Sequence, residues 1–119
     1  KVDIKKESIM GGMSCGEVSL VPWKILKESV DICTSISDVN VDLTISMLKN
    51  KILSDEEIVG GECSTPGIIS LIACSEDSEI KKNLGLEESS NILVIGCEGD
   101  ADENLYNKLL STGNKKLLK

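Results

Sequence analysis

The chain has 119 residues, enough for one compact domain with a core, and carries a formal net charge of −7. It contains no His, and Lys supplies all 13 basic residues. These absences exclude an imidazole base for a Ser or Cys nucleophile, a mixed Cys/His zinc site and an Arg clamp for phosphate, and the acidic balance argues against a nucleic-acid partner because phosphate backbones are repelled.

The first half of the chain predicts a glycine loop, two helices and a short strand. Residues 7–17 contain three glycines and little periodicity, which predicts a loop whose backbone can approach a ligand closely. A helix should follow, because Ser19 can cap it and Pro22 falls near the first turn. Residues 30–36 alternate apolar and small polar side chains, as a short strand does. Residues 41–52 carry apolar side chains every three to four positions and predict a second helix with a core face.

The second half predicts another loop, further helices and a central strand. Residues 58–67 combine a Gly pair with a Pro, which is typical of a loop before a helix. A further helical turn over residues 80–84 should end at Gly85. Residues 91–96 form a continuous apolar run, which indicates a strand covered on both faces. An acidic loop and a last helix come next, and residues 113–119 are expected to form a disordered tail.

The alternation of helical and extended segments predicts an α/β fold, a layered sheet with flanking helices formed by residues 1–119 as a single segment. No apolar run approaches the roughly 20 residues that span a bilayer, and no export signal is visible, so we expect a cytoplasmic protein without membrane contact. Five cysteines without a CxxC pair indicate free thiols. Apolar patterning begins at Val2 with no leader, so the chain is expected to open within a larger fold.

Three glycine-bearing loops, around Gly12, Glu62 and Cys97, precede predicted helices. In an open parallel sheet such loops converge on a ligand crevice, although turn chemistry alone explains the glycines of any single loop. Glu62 is either a ligand contact or a solvated acid, and Cys97 either a cofactor partner or a core filler. Asp100 and Asp102 are interpreted as acids at a helix start, so no metal site is predicted. Neither GxGxxG nor GxxxxGK[ST] occurs, which leaves nicotinamide and nucleoside triphosphate binding without support.

The same loops carry a resemblance to a known family. Over residues 9–106 the chain resembles the carboxyl-terminal part of the diaminopropionate ammonia-lyases, which are pyridoxal-phosphate enzymes of the tryptophan synthase β type (fold type II). The resemblance implies a dimeric lyase that converts 2,3-diaminopropionate to pyruvate and ammonia by β-elimination. The matching stretches, in order, are SIMGGMSCGEVSLVPWKIL, SDVNVDLTISML, IVGGE and NILVIGCEGDADENLY.

The resemblance also assigns residues. Gly12 matches a glycine whose backbone lies near the cofactor, Glu62 a glutamate near the pyridine ring, and Cys97 the Ser or Thr that hydrogen-bonds the pyridine nitrogen. In the family, the lysine that holds the cofactor lies upstream of the matching segment, so this chain is expected to contain no catalytic residue. Two departures are the CSTPG that follows Glu62 and the thiol at Cys97, a weaker hydrogen-bond partner than a hydroxyl.

Three hypotheses about function follow from the sequence. The first is a part of a pyridoxal-phosphate lyase that forms the ring side of the cofactor pocket and does not turn over alone. The second is a stand-alone α/β module that binds or senses a small ligand at the same loops. The third is a structural piece that mediates dimer contacts. A reading frame that extends upstream far enough to hold a cofactor lysine would favour the first hypothesis.

Overall fold

The computed structural model describes residues 1–118, which form helices joined by loops and extended segments. Every helix predicted from apolar periodicity is confirmed, including the short one that ends just before Gly85, whose φ of +65° suits glycine. The α-helices in this range are α1 (Leu20–Ser29), α2 (Val41–Lys49), α3 (Pro66–Glu76), α4 (Ser78–Asn83) and α5 (Glu103–Leu117), with single 3-10 turns at Gly11–Met13, Asp38–Asn40 and Glu62–Ser64.

The predicted α/β sheet is wrong, because no β-strand pairing occurs among residues 1–118. The two predicted strands, residues 30–36 and 91–96, have no helical turn, but neither pairs with a neighbouring strand as a sheet requires. Residues 91–96 were expected to be covered on both faces, whereas Leu93 and Ile95 are 87% and 78% exposed. Alternation and apolar runs describe the side chains of one segment, and they carry no information on whether a second segment lies beside it.

The core lies where α2 packs against α5. Val41 and Ile45 of α2 are completely buried, and Tyr106 of α5 is nearly so. The two helices approach closely at Gly113, where an added Cβ would overlap the carbonyl oxygen of Asp42. This close crossing confirms Val41, Ile45 and Leu48 of the predicted apolar stripe as core, whereas Ile52, its last member, lies beyond the end of α2 and is 52% exposed.

Polar contacts fix the register of α2 against α5. Asn114 accepts hydrogen bonds from Ser46 Oγ and from Asn50 Nδ2, the latter at 2.8 Å. Lys116 Nζ lies 2.7 Å from Asp42 Oδ1 and forms an ion pair with it. Because these contacts hold its last turns, α5 is helical through Leu117, which differs from the expected disordered tail; Lys119 lies outside the described residues.

Helix α1 leaves most of its apolar surface exposed. Leu20, Val21 and Ile25 are 66% to 76% exposed, while Trp23 and Leu26 are about half covered. None of the helices described over residues 1–118 has both the length and the apolar character needed to cross a membrane.

Candidate functional site

Two distant chain segments meet in what we term the loop junction, formed by residues 60–65 and 96–99. Glu98 forms most of the contacts between them. Its carbonyl oxygen accepts hydrogen bonds from Gly61 N at 2.9 Å and from Ser64 Oγ at 2.5 Å. Its own N–H donates to Ser64 Oγ at 3.0 Å, and its Oε2 accepts from Cys63 N at 2.9 Å. The junction is therefore held largely by main-chain groups.

Glycines permit the two segments of the loop junction to lie this close, because glycine has no Cβ. A Cβ on Gly61 would overlap the carbonyl oxygen of Gly99 and lie 3.0 Å from Glu98 Cγ. A Cβ on Gly96 would lie 3.3 Å from both Cβ and Oγ of Ser64. The glycines that the sequence predicts as turn formers therefore act here as points of close backbone contact.

The structure brings the three predicted site residues together around one buried residue, Cys63. A Cβ on Gly12 would lie 3.3 Å from Cys63 Sγ, and Cys97 Sγ donates to the Cys63 carbonyl at 3.7 Å. A carboxylate oxygen of Glu62 lies within 4.8 Å of Cys63 Sγ. Because Gly12 and Cys97 are exposed and Glu62 is half-buried, all three can reach a ligand from solvent. The alternative interpretation of Cys97 as a core filler is wrong; Cys63 has that place.

Cys63 is a residue that the sequence analysis did not single out. Burial raises the pKa of its thiol to about 11, with the Glu98 hydrogen bond and the nearby carboxylates adding to the rise and the Gly12 N–H opposing it. The thiol is therefore protonated and unreactive at neutral pH. Nothing in the local sequence distinguishes Cys63 from a solvated loop cysteine, since its burial depends on segments far along the chain.

The same neighbourhood contains possible metal ligands that were not predicted. One ligand atom each from Glu62, Cys63 and Glu98 lies within 4.8 Å of the others. Thiolate and carboxylate oxygen are ligands that Zn²⁺ accepts, although a cation would have to displace the Cys63 proton. The acids considered as alternatives behave as predicted at the helix start, because Asp102 caps α5 by accepting from Leu105 N at 3.0 Å.

Lys49 and Tyr106 form a second cluster beside the site. Lys49 Nζ lies 2.5 Å from Glu57 Oε1, and this hydrogen bond raises the pKa of the ammonium. A lysine must lose its proton to attack an aldehyde, so Lys49 is unsuited to hold a carbonyl cofactor. The Tyr106 hydroxyl is buried without a hydrogen-bond partner, and burial raises its pKa.

Asp38 anchors the loop that carries Gly12. Its Oδ1 accepts from Ser8 Oγ at 2.5 Å and its Oδ2 from Ile9 N at 3.1 Å. These hydrogen bonds, led by that from Ser8, lower the pKa of Asp38 below its ordinary value of 3.8. The loop that carries Gly12 is therefore held, at Ser8 and Ile9, by an ionised carboxylate that is distant in sequence.

We expect acid to release this anchor. Since the pKa of Asp38 is lower in the folded chain, its contribution is complete above 3.8 and is lost as the pH falls through the folded-state value. The amide chemical shift of Ile9, followed by NMR against pH, should show a transition below 3.8. Asp38→Asn should abolish that transition, and an identical titration in both proteins would contradict the anchor.

The chain is similar to curated ammonia-lyases. These relatives are diaminopropionate ammonia-lyases: that of Escherichia coli is 29% identical over 109 residues, and that of Salmonella typhimurium is 24% identical over 111. Each alignment covers 89% of this chain and 27% of the relative, so the chain spans about a quarter of the length of the proteins it matches. No family model and no solved structure matches. The relatives support the resemblance carried by the four sequence stretches.

Proposed function

We propose that the chain is the carboxyl-terminal portion of a pyridoxal-phosphate-dependent ammonia-lyase that resembles diaminopropionate ammonia-lyase. The observation that carries this proposal is the convergence of Gly12, Glu62 and Cys97 around Cys63. The resemblance assigns these three residues to one cofactor pocket, although 50 and 35 positions separate them along the chain. A chance set of loop glycines and cysteines has no reason to bring Gly12 and Cys97 to the same buried residue, Cys63.

The exposed groups suit the ring side of such a pocket. Gly12 presents backbone without a side chain, which lets a flat ring approach. Cys97 is exposed and offers a neutral thiol to the pyridine nitrogen, and Glu62 places a carboxylate nearby. Pyridoxal phosphate, when bound, draws electrons from the substrate's α-carbon. A thiol is a weak, neutral hydrogen-bond partner, so Cys97 would orient the ring without forcing a proton onto its nitrogen.

The remaining parts of the proposal concern the whole enzyme. Its substrate would be a small amino acid, 2,3-diaminopropionate in the named relatives' case, and it would be a cytoplasmic homodimer. The resemblance places the lysine that holds the cofactor upstream of the matching segment, so it would come from polypeptide outside this chain. On its own, the chain would form no stable complex with the cofactor.

Cys97→Ala tests the proposal. The substitution should be made in the longest natural polypeptide that contains this chain, because the proposed cofactor lysine lies outside the chain itself. Loss of one weak hydrogen bond should shift the absorbance of bound pyridoxal phosphate and slow pyruvate release by roughly threefold to tenfold. Cys74→Ala is the matched control, because Cys74 lies on α3 and takes no part in the loop junction. Equal and negligible effects of the two substitutions would remove Cys97 from the pocket.

The isolated chain separates the proposal from the stand-alone binding module. We expect pyridoxal phosphate followed by borohydride to label several exposed lysines at low yield, with no single preferred site. A stoichiometric adduct at one lysine, located by peptide mass spectrometry, would support the binding module instead.

A further inference from the structure

Glu98 holds the candidate pocket together without being one of its predicted members. We propose that Glu98, assisted by Ser64, is a positioning residue that fixes Glu62 and Cys97 at one rim. This role of Glu98 in the pocket rests on the proposed function. The hydrogen bonds that Glu98 makes are contacts within this chain and can be tested without the cofactor.

The contacts of Glu98 bracket Glu62 on both sides. Gly61, just before Glu62, donates its N–H to the Glu98 carbonyl, and Cys63, just after it, donates its N–H to the Glu98 carboxylate. With both neighbours held by one residue, the backbone of Glu62 has little freedom to turn. Cys97 is fixed by the same residue, because it directly precedes Glu98 in the chain.

Ser64 makes the attachment reciprocal. Its hydroxyl donates to the Glu98 carbonyl at 2.5 Å and accepts from the Glu98 N–H at 3.0 Å, so one side chain satisfies both main-chain groups of Glu98. Ser64 is buried, which leaves little water to replace these hydrogen bonds. The pair therefore forms a two-way attachment between segments that are 34 residues apart.

The rate of Cys63 alkylation at one fixed pH tests this inference in the 119-residue chain. Peptide mass spectrometry would follow iodoacetamide labelling of Cys63 in the native protein. Glu98→Ala removes the carboxylate that accepts from Cys63 N, so the junction should open more often and labelling should accelerate by roughly threefold to tenfold. Glu98→Gln keeps an oxygen acceptor and should restore most of the protection. Glu76→Ala, a change at the exposed end of α3, is the matched control and should leave the rate unchanged.

Ser64→Ala tests the other part of the attachment. It keeps the Glu98 carboxylate but breaks the reciprocal hydrogen bonds, so labelling of Cys63 should accelerate as it does in Glu98→Ala. Ser75→Ala is its control, because Ser75 only donates to the Ile72 carbonyl of its own helix. If Glu98→Ala loses its helical circular dichroism, the Ser64→Ala result decides the positioning role alone.

Two outcomes would overturn the inference, and neither is the failure of the proposed function. The first is Cys63 labelling in Glu98→Ala that is no faster than in wild type, and the second is Cys63 protection unchanged by Ser64→Ala. In the longest natural polypeptide, both variants should shift the absorbance of bound pyridoxal phosphate as Cys97→Ala does. An effect of Cys97→Ala alone contradicts positioning, whereas no effect of Cys97→Ala contradicts the proposed pocket and leaves the thiol measurements to decide positioning.

Discussion

Gly113→Ala is expected to destabilise the chain by about 3 kcal/mol or more, although the same change inside a helix ordinarily stabilises by about 0.5–1 kcal/mol. The added methyl would overlap the Asp42 carbonyl oxygen and lie 2.8 Å from Ser46 Cβ. Backbone atoms cannot rotate away as side chains can, so α2 and α5 would have to separate. Their separation would also weaken the Lys116 ion pair with Asp42 and the hydrogen bonds to Asn114.

Urea unfolding followed by far-ultraviolet circular dichroism measures this change. Ser111→Ala is the matched control, because Ser111 is exposed on the same helix, and its effect should stay within about 0.5 kcal/mol. A Gly113→Ala protein as stable as the control would mean that α5 does not cross α2 at this residue.

Gly61→Ala is expected to open the loop junction. The new Cβ would overlap the Gly99 carbonyl oxygen and lie 3.0 Å from Glu98 Cγ, so the segments must move apart. We expect the free energy of unfolding to fall by about 1–3 kcal/mol. Cys63, only 6% exposed in the intact junction, should become accessible to iodoacetamide in the native chain.

The control for this change is another glycine of the same junction. An added Cβ on Gly99 meets nothing within 4 Å, so Gly99→Ala should preserve both stability and protection of Cys63. Equal protection of Cys63 in the two variants would contradict the close contact between Gly61 and Gly99. Loss of helical signal in Gly61→Ala alone would extend the role of the junction from the site to the whole fold.

The sequence predicted the helices well and the strands poorly, for one physical reason. A helix satisfies its hydrogen bonds within itself, so the spacing of Val41, Ile45 and Leu48 was enough to identify α2. A strand satisfies its hydrogen bonds through another segment, and nothing within residues 91–96 states whether that segment lies beside it. The apolar run there wrongly implied a strand covered on both faces.

The candidate site was predictable only in part. The residues at its rim, Gly12, Glu62 and Cys97, came from glycine-rich loops and from the family resemblance, and the structure places them together. Their support was not predictable, because Glu98 and Ser64 act through main-chain N–H and C=O groups that every residue possesses. The burial of Cys63 likewise arises from segments that are distant in sequence.

The exposed apolar residues 91–96 immediately precede Cys97 in the chain. Binding to these residues would therefore affect both the unfolding equilibrium and the order of the backbone at Cys97. Any molecule that covers Leu93 and Ile95 in the folded chain, and does not bind the unfolded chain, raises the melting temperature by mass action. The same molecule would restrict the backbone two residues before the thiol. The free energy of unfolding and the order of the backbone beside Cys97 would then both depend on the concentration of that molecule, so a value measured at one concentration would not apply at another.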